Sequence, residues 1–162
     1  MFRTPLFTGF VSFLTLAAAT LASADSRSDF VVKAMKGDNS ERMLGRLAEQ
    51  RAASPGVRAY GRTLFVDHSK GKAQAVALAR SMGLRPTDEP MDVAAKERQK
   101  LMGLRGADFD HEFVSYMVKD HQEDISDFRK EAEIKDGRVS AFAEKTLPVL
   151  HKHLDIALRL QR

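Results

Sequence analysis

The 162-residue chain is predicted to be all-α, with four long helices packed as a bundle and a long crossover between the second and third. Three observations lead there. Four long segments carry apolar residues at three- and four-residue spacing, the mark of a helix with one buried face. No segment shows the sustained two-residue alternation of a half-buried strand, and no repeat of solenoid length is present. The connections run short, long, short, which makes two antiparallel hairpins joined by a stretch able to cross the length of a bundle.

The chain opens with a segment that reads as a leader. Arg3 supplies a positive start, Leu6 to Leu21 is apolar apart from small and hydroxyl residues, and Ala22-Ser23-Ala24 is a small-x-small cleavage signal before Asp25. Residues 1–24 are therefore expected to be a cleaved signal peptide and 25–162 one domain. The apolar run is short for a membrane span, and no later segment suits one. An uncleaved anchor is the alternative.

The first helix is expected over about 28–53, with Phe30, Ala34, Leu44, Ala48 and Ala52 as its stripe, interrupted by Asp38 and Glu41. Ser54-Pro55 ends it and begins the next, serine as N-cap and proline in the first helical position. The second helix runs to about Met82, with Gly83 as a left-handed C-cap. Its buried face carries Tyr60, Leu64, Gly71, Ala75, Leu78 and Met82, and His68 falls on that face. Pro86, Pro90 and Gly106 punctuate the crossover, in which Asp92 to Leu104 suits a short helix. The third long helix spans about 108–135, with Phe109, Phe113, Met117, Ile125, Phe128 and Ala132 inward and His121 among them. Asp136-Gly137 makes a turn. The last helix, about 138–160, turns Phe142, Thr146, Leu150, Ala157 and Leu160 to one side, and His153 sits with them. Pro148 lies inside it, where it should kink the chain and free the carbonyl of Glu144. This connectivity suits a ferritin-like bundle.

Glu41, His68 and His121 each lie near the middle of a helix, and His153 lies about two residues past the middle, or ~3 Å at the helical rise. All four then share one layer of the core. Imidazole nitrogens with a carboxylate suit a divalent transition metal, whether zinc, iron, manganese or copper(II). The competing reading is a buried network in which these groups satisfy one another by hydrogen bonds. Asp67 and Asp120 precede His68 and His121 directly, so each is turned about 100° away from its neighbour. Each reads either as a solvated aspartate or as a carboxylate that orients a histidine on an adjacent helix. Asp124, one turn beyond His121, is a candidate extra ligand. His151 is two residues from His153 and points elsewhere, and His111 belongs to the surface near the start of its helix.

The chain has no cysteine, which removes disulfides, thiolate metal sites and thiol catalysis together. Its formal charge of +4 becomes +3 without Arg3, and its charges are interleaved without a basic block, which argues against nucleic-acid binding. The seven methionines show no clustered pattern for copper(I). No nucleophile elbow, phosphate loop or dinucleotide-binding turn is present.

With these residues in place the chain resembles the exported bacterial ferritin-like bundle proteins, a family of unknown function often labelled putative outer-membrane or exported proteins. The resemblance covers the mature chain and rests on Glu41 with Leu44-Gly45 and Ala48, and on Val66-Asp67-His68. Phe109-Asp110, Met117-Val118-Lys119-Asp120-His121, Leu147-Pro148 and His153-Leu154 complete it. It implies a ferritin-like fold and a periplasmic or outer-envelope location, with no settled activity. Di-iron members of the wider group use Glu-x-x-His on two helices. Here Phe65 and Val118 stand three residues before His68 and His121, a departure that speaks against di-iron oxidase chemistry and iron storage. The leading expectation is a periplasmic metal-binding protein serving stress tolerance or metal handling. The second is a non-catalytic envelope module with a polar core and an envelope protein as partner. A metal-dependent oxidoreductase ranks third.

Overall fold

The computed structural model describes residues 14–135 and 137–162, with side chains from residue 26 onward. The first half of the expected leader and Asp136 of the expected turn lie outside the described residues. Five helices make the fold: α1 (Leu14–Arg51), α2 (Pro55–Ser81), α3 (Asp92–Gly103), α4 (Gly106–Glu133) and α5 (Gly137–Leu160). No strand occurs among the described residues, and no helix there is long and apolar enough to cross a membrane. The all-helical expectation holds, and α3 is the short helix expected in the crossover. One boundary differs: α1 begins at Leu14, upstream of the expected start near Ser28. Neither proline nor glycine occurs between those positions, so nothing local stops the helix there.

Local chemistry sets the joints. Ser54 caps α2, its Oγ accepting from the Val57 N–H at 3.1 Å, and Pro55 opens the helix. Asp110 of α4 reaches the same joint, its carboxylate accepting from the N–H groups of Ala53 at 2.8 Å and Ser54 at 2.7 Å. This ties the α1–α2 hairpin to the start of α4. Past α2, Gly83 takes a φ of +74°, and the Leu84 N–H donates back to the Ala79 carbonyl at 2.9 Å. α5 continues through Pro148 as one helix.

α1 packs along α2 and α4 along α5; the two pairs meet through α2 against α5 and α1 against α4, and α3 touches α1 and α4. Gly45 and Gly61 fix the α1–α2 register. A Cβ on either would stand 2.6 Å from the other's carbonyl oxygen, so the backbones touch there. Two turns farther on, seven residues back along α1 and seven forward along α2, Asp38 faces His68.

The apolar interior is divided. Leu44, Tyr60, Leu64, Phe109, Phe113, Met117 and Ala157 belong to one cluster. Val31, Met35, Ala75, Leu78 and Val139 form a second, and Ala34, Ile125, Phe128, Ala143 and Leu150 a third. On each long helix one buried polar residue separates the first cluster from the others: Glu41, His68, His121 and His153, at 1, 4, 0 and 0% exposure. α1 buries more than its expected stripe, because the crossover covers a second face. Asn39 Nδ2 donates to the carbonyls of Thr87 and Glu89 at 3.0 and 3.1 Å, and the Met91 N–H donates to Ser40 Oγ at 2.9 Å.

Candidate metal centre

The polar layer brings Glu41, His68, His121 and His153 together, one from each long helix. The three imidazole centroids form a triangle with sides of 5.0, 5.4 and 6.0 Å. One ring nitrogen from each of His68, His121 and His153 lies within 4.8 Å of the other two. Asp38–Glu41–His68 and Glu41–Asp120–His121 meet the same test, so carboxylates border the triangle on two sides.

The tautomers follow from the partners. His121 Nδ1 lies 2.9 Å from the backbone carbonyl of Met117, which only accepts, so the proton is on Nδ1 and Nε2 carries a lone pair. That Nε2 is fully buried and makes no hydrogen bond. Glu41 Oε1 stands 3.0 Å from it without the alignment a hydrogen bond needs, and is likewise unpartnered. His153 Nε2 donates to Asp67 Oδ2 at 3.1 Å, which leaves Nδ1 bare. Asp67 is an ionised acceptor: burial opposes its charge, but the Lys152 ammonium and His153 hold its pKa down to about 2.

His68 closes the set. Its Nδ1 faces Asp38 Oδ1 and Glu41 Oε2, each at 2.9 Å, so Nδ1 donates. Its Nε2 lies 3.2 Å from His153 Nδ1, which is bare, so Nε2 donates too. His68 is then an imidazolium. Burial works against that charge, but Glu41 and Asp38 outweigh it and hold the pKa well above the usual value. The other two rings stay neutral. Burial, followed by the His68 charge, pushes His121 well below the ordinary value and His153 to about 4. Burial raises Glu41 to about 7 against the pull of His68.

Each histidine thus gives one nitrogen to an oxygen acceptor and turns the other toward its neighbours. That arrangement fixes the tautomer and ring orientation of histidines that hold metals. Removal of the single proton on His68 Nε2 would leave three nitrogen lone pairs beside the Glu41 carboxylate, a set able to take a divalent ion.

Of the remaining sequence candidates, Asp67 takes the orienting role on His153. Asp120 borders the centre beside Glu41 and His121, its pKa raised to about 7 by burial and then by Glu41. Asp124 stands apart from the converging atoms and lines a neighbouring cavity instead. His111 and His151 are exposed, as expected. Sequence reasoning registers Asp38 only as a break in the α1 stripe. Its position one turn before Glu41 is the signal that would have assigned it to the same layer. The unpartnered, fully buried hydroxyl of Tyr60 had no signal at all.

Fold and site together define a class: an all-helical protein with a buried histidine–carboxylate layer of the kind that holds a metal ion or a closed polar network. Residues 13–160 match a family model described as a domain of unknown function (DUF4142), and the chain belongs to that family. Neither a curated protein nor a solved structure matches it significantly.

Proposed function

We propose that this chain is a ferritin-like four-helix bundle of the cell envelope that binds one divalent transition ion through Glu41, His68, His121 and His153, in the service of metal handling or stress tolerance. One observation carries the reading. The fully buried His121 Nε2 and Glu41 Oε1 lie 3.0 Å apart with no hydrogen bond to either, beside two rings whose inward nitrogens share a single proton. Buried polar atoms are rarely left unpartnered, and an ion would satisfy these. The long crossover between α2 and α4 supports the ferritin-like topology. Arg3, the apolar run to Leu21 and Ala22-Ser23-Ala24 support export, with a mature chain beginning at Asp25.

The test is a melting-temperature series with zinc, manganese, iron(II) and copper(II) on wild type, His121→Ala and His151→Ala. An ion at about a hundred times its Kd should stabilise wild type by about 2.7 kcal/mol. His121→Ala should weaken binding at least about tenfold, or ~1.4 kcal/mol. His151 is exposed, so His151→Ala should respond as wild type does. A wild-type melting temperature indifferent to all four ions overturns the proposal.

The second reading is a closed polar network, and a specific observation favours it: hydrogen bonds already run unbroken from Asp38 through His68 and His153 to Asp67. It predicts that His121→Ala lowers the melting temperature equally with and without metal.

A further inference from the structure

The centre is almost wholly buried, so an ion must cross the protein to reach it. One surface approach is guarded by cations. Asp67, which holds His153, is bonded to the Lys152 ammonium at 2.8 Å and has Lys70 at 3.6 Å. A divalent cation meets repulsion there. The opposite side is different. A cavity of about 30 Å³ reaches Glu41 and His68 from the side of α1, α4 and α5. That volume holds about one water-sized body. Lys33 and Asp127 also line it, and they are 48% and 34% exposed as they pair with one another, so they mark its outer end. Asp38 and Asp124 line it between these ends. Asp124 has no hydrogen bond or ion pair among the described residues, although burial and then Asp120 push its pKa up to about 7. At the inner end stands Glu41, 1% exposed, whose Oε1 is unpartnered.

Resting on the metal-binding reading above, we propose that this cavity is the entrance by which a divalent cation reaches the histidine centre, with Asp124 the carboxylate that passes it inward and the Lys33–Asp127 pair its mouth. A line of carboxylates replaces water ligands stepwise, so the ion never crosses an apolar layer bare. Asp124 is a transit group rather than a ligand of the final site. It therefore lowers the barrier in both directions and leaves the equilibrium unchanged.

That separation sets the experiment. Cobalt(II) association is followed by its visible absorption in stopped flow, and its loss by a chelator chase. The chains are wild type, Asp124→Asn, Lys33→Gln and Gly37→Ala. A Cβ at Gly37 would lie 3.9 Å from Asp124 Oδ2, an ordinary contact, so that variant narrows the cavity and keeps the fold. Asp124→Asn and Gly37→Ala should slow entry and loss alike, by about tenfold, with Kd within about twofold of wild type. Lys33→Gln should speed entry, and its advantage should shrink as salt is added. An unchanged entry rate in both Asp124→Asn and Gly37→Ala overturns the entrance while leaving the centre intact. So does a weaker Kd in Asp124→Asn produced by faster loss alone, which would make Asp124 a ligand. Wild type that neither binds cobalt nor shifts its melting temperature with any of the four ions above removes the metal-binding reading, and the entrance with it.

Discussion

Metal binding at this centre should release protons in a number that the hydrogen-bond pattern sets. Near pH 8 the metal-free layer holds one proton that an ion must displace, the one His68 Nε2 donates to His153 Nδ1. His68 keeps it because Glu41 and Asp38 raise its pKa well above 6.5 against the effect of burial. His121 and His153 contribute none, since burial and the His68 charge have already made them neutral. Glu41 adds a second proton as pH falls through its pKa of about 7. Release should therefore be about one proton per ion near pH 8 and rise to about two or more near pH 6, where Asp120, also raised to about 7 beside Glu41, holds a proton too.

The sign follows directly. Protons occupy the metal-free protein and not the loaded one, so affinity weakens as pH falls. Each proton is worth a factor of ten per pH unit, about 1.4 kcal/mol. The slope should be near one decade per unit around pH 8 and steeper below about pH 7. Calorimetric titration of zinc in buffers of contrasting ionisation enthalpy, at pH 6 and pH 8, counts the protons. Asp38→Asn removes one carboxylate that holds the His68 proton, and should lower the count at pH 8. Tight binding with no proton release at pH 8 would show His68 to be neutral and refute the proton-bridge argument.

Three further outcomes are expected. A Cβ on Gly71 would lie 2.6 Å from Asp38 Oδ1, so Gly71→Ala must push that carboxylate off His68. Zinc affinity should fall about 10- to 100-fold, as when a group orienting a ligand is lost, and an unchanged titration would deny Asp38 that role. In the metal-free protein, the Asp124 pKa is raised to about 7, so its contribution is intact below the unfolded value and lost as pH rises through about 7. Asp124→Asn should be more stable than wild type by an amount that grows from about pH 4 and levels above about pH 7, reaching about 1 kcal/mol or more in chemical denaturation. Gly45→Ala should destabilise by about 1–3 kcal/mol despite alanine's better helix propensity, because the α1 and α2 backbones must part; a neutral or stabilising result in the same assay would mean the contact is loose.

What could be read in the sequence divides along a physical line. Caps and stops were legible because they act within a few residues: Ser54-Pro55 opens α2, and Gly83 follows its end in the left-handed conformation. The start of α1 was not, since neither proline nor glycine stands between Leu14 and Ser28 to mark a boundary there. The convergence of Glu41, His68, His121 and His153 was legible because a polar residue inside an apolar stripe reports depth, and long antiparallel helices turn equal depth into proximity. Depth does not report partners. Those depend on which helix neighbours which, and the stripes alone do not set that order. Because α2 packs on α5 as well as on α1, Asp67, turned about 100° from His68, meets His153 there, whereas His68 itself meets Asp38 on α1. Because α4 borders α1, Asp124 faces the Gly37 side of that helix and lines the cavity, away from the converging nitrogens. The tautomers lie a further step away, resting on distances near 3 Å that no periodicity encodes. Hence the four inward residues were readable as a set, while the groups that orient them, and that decide between an ion and a proton at the centre, required the packed structure.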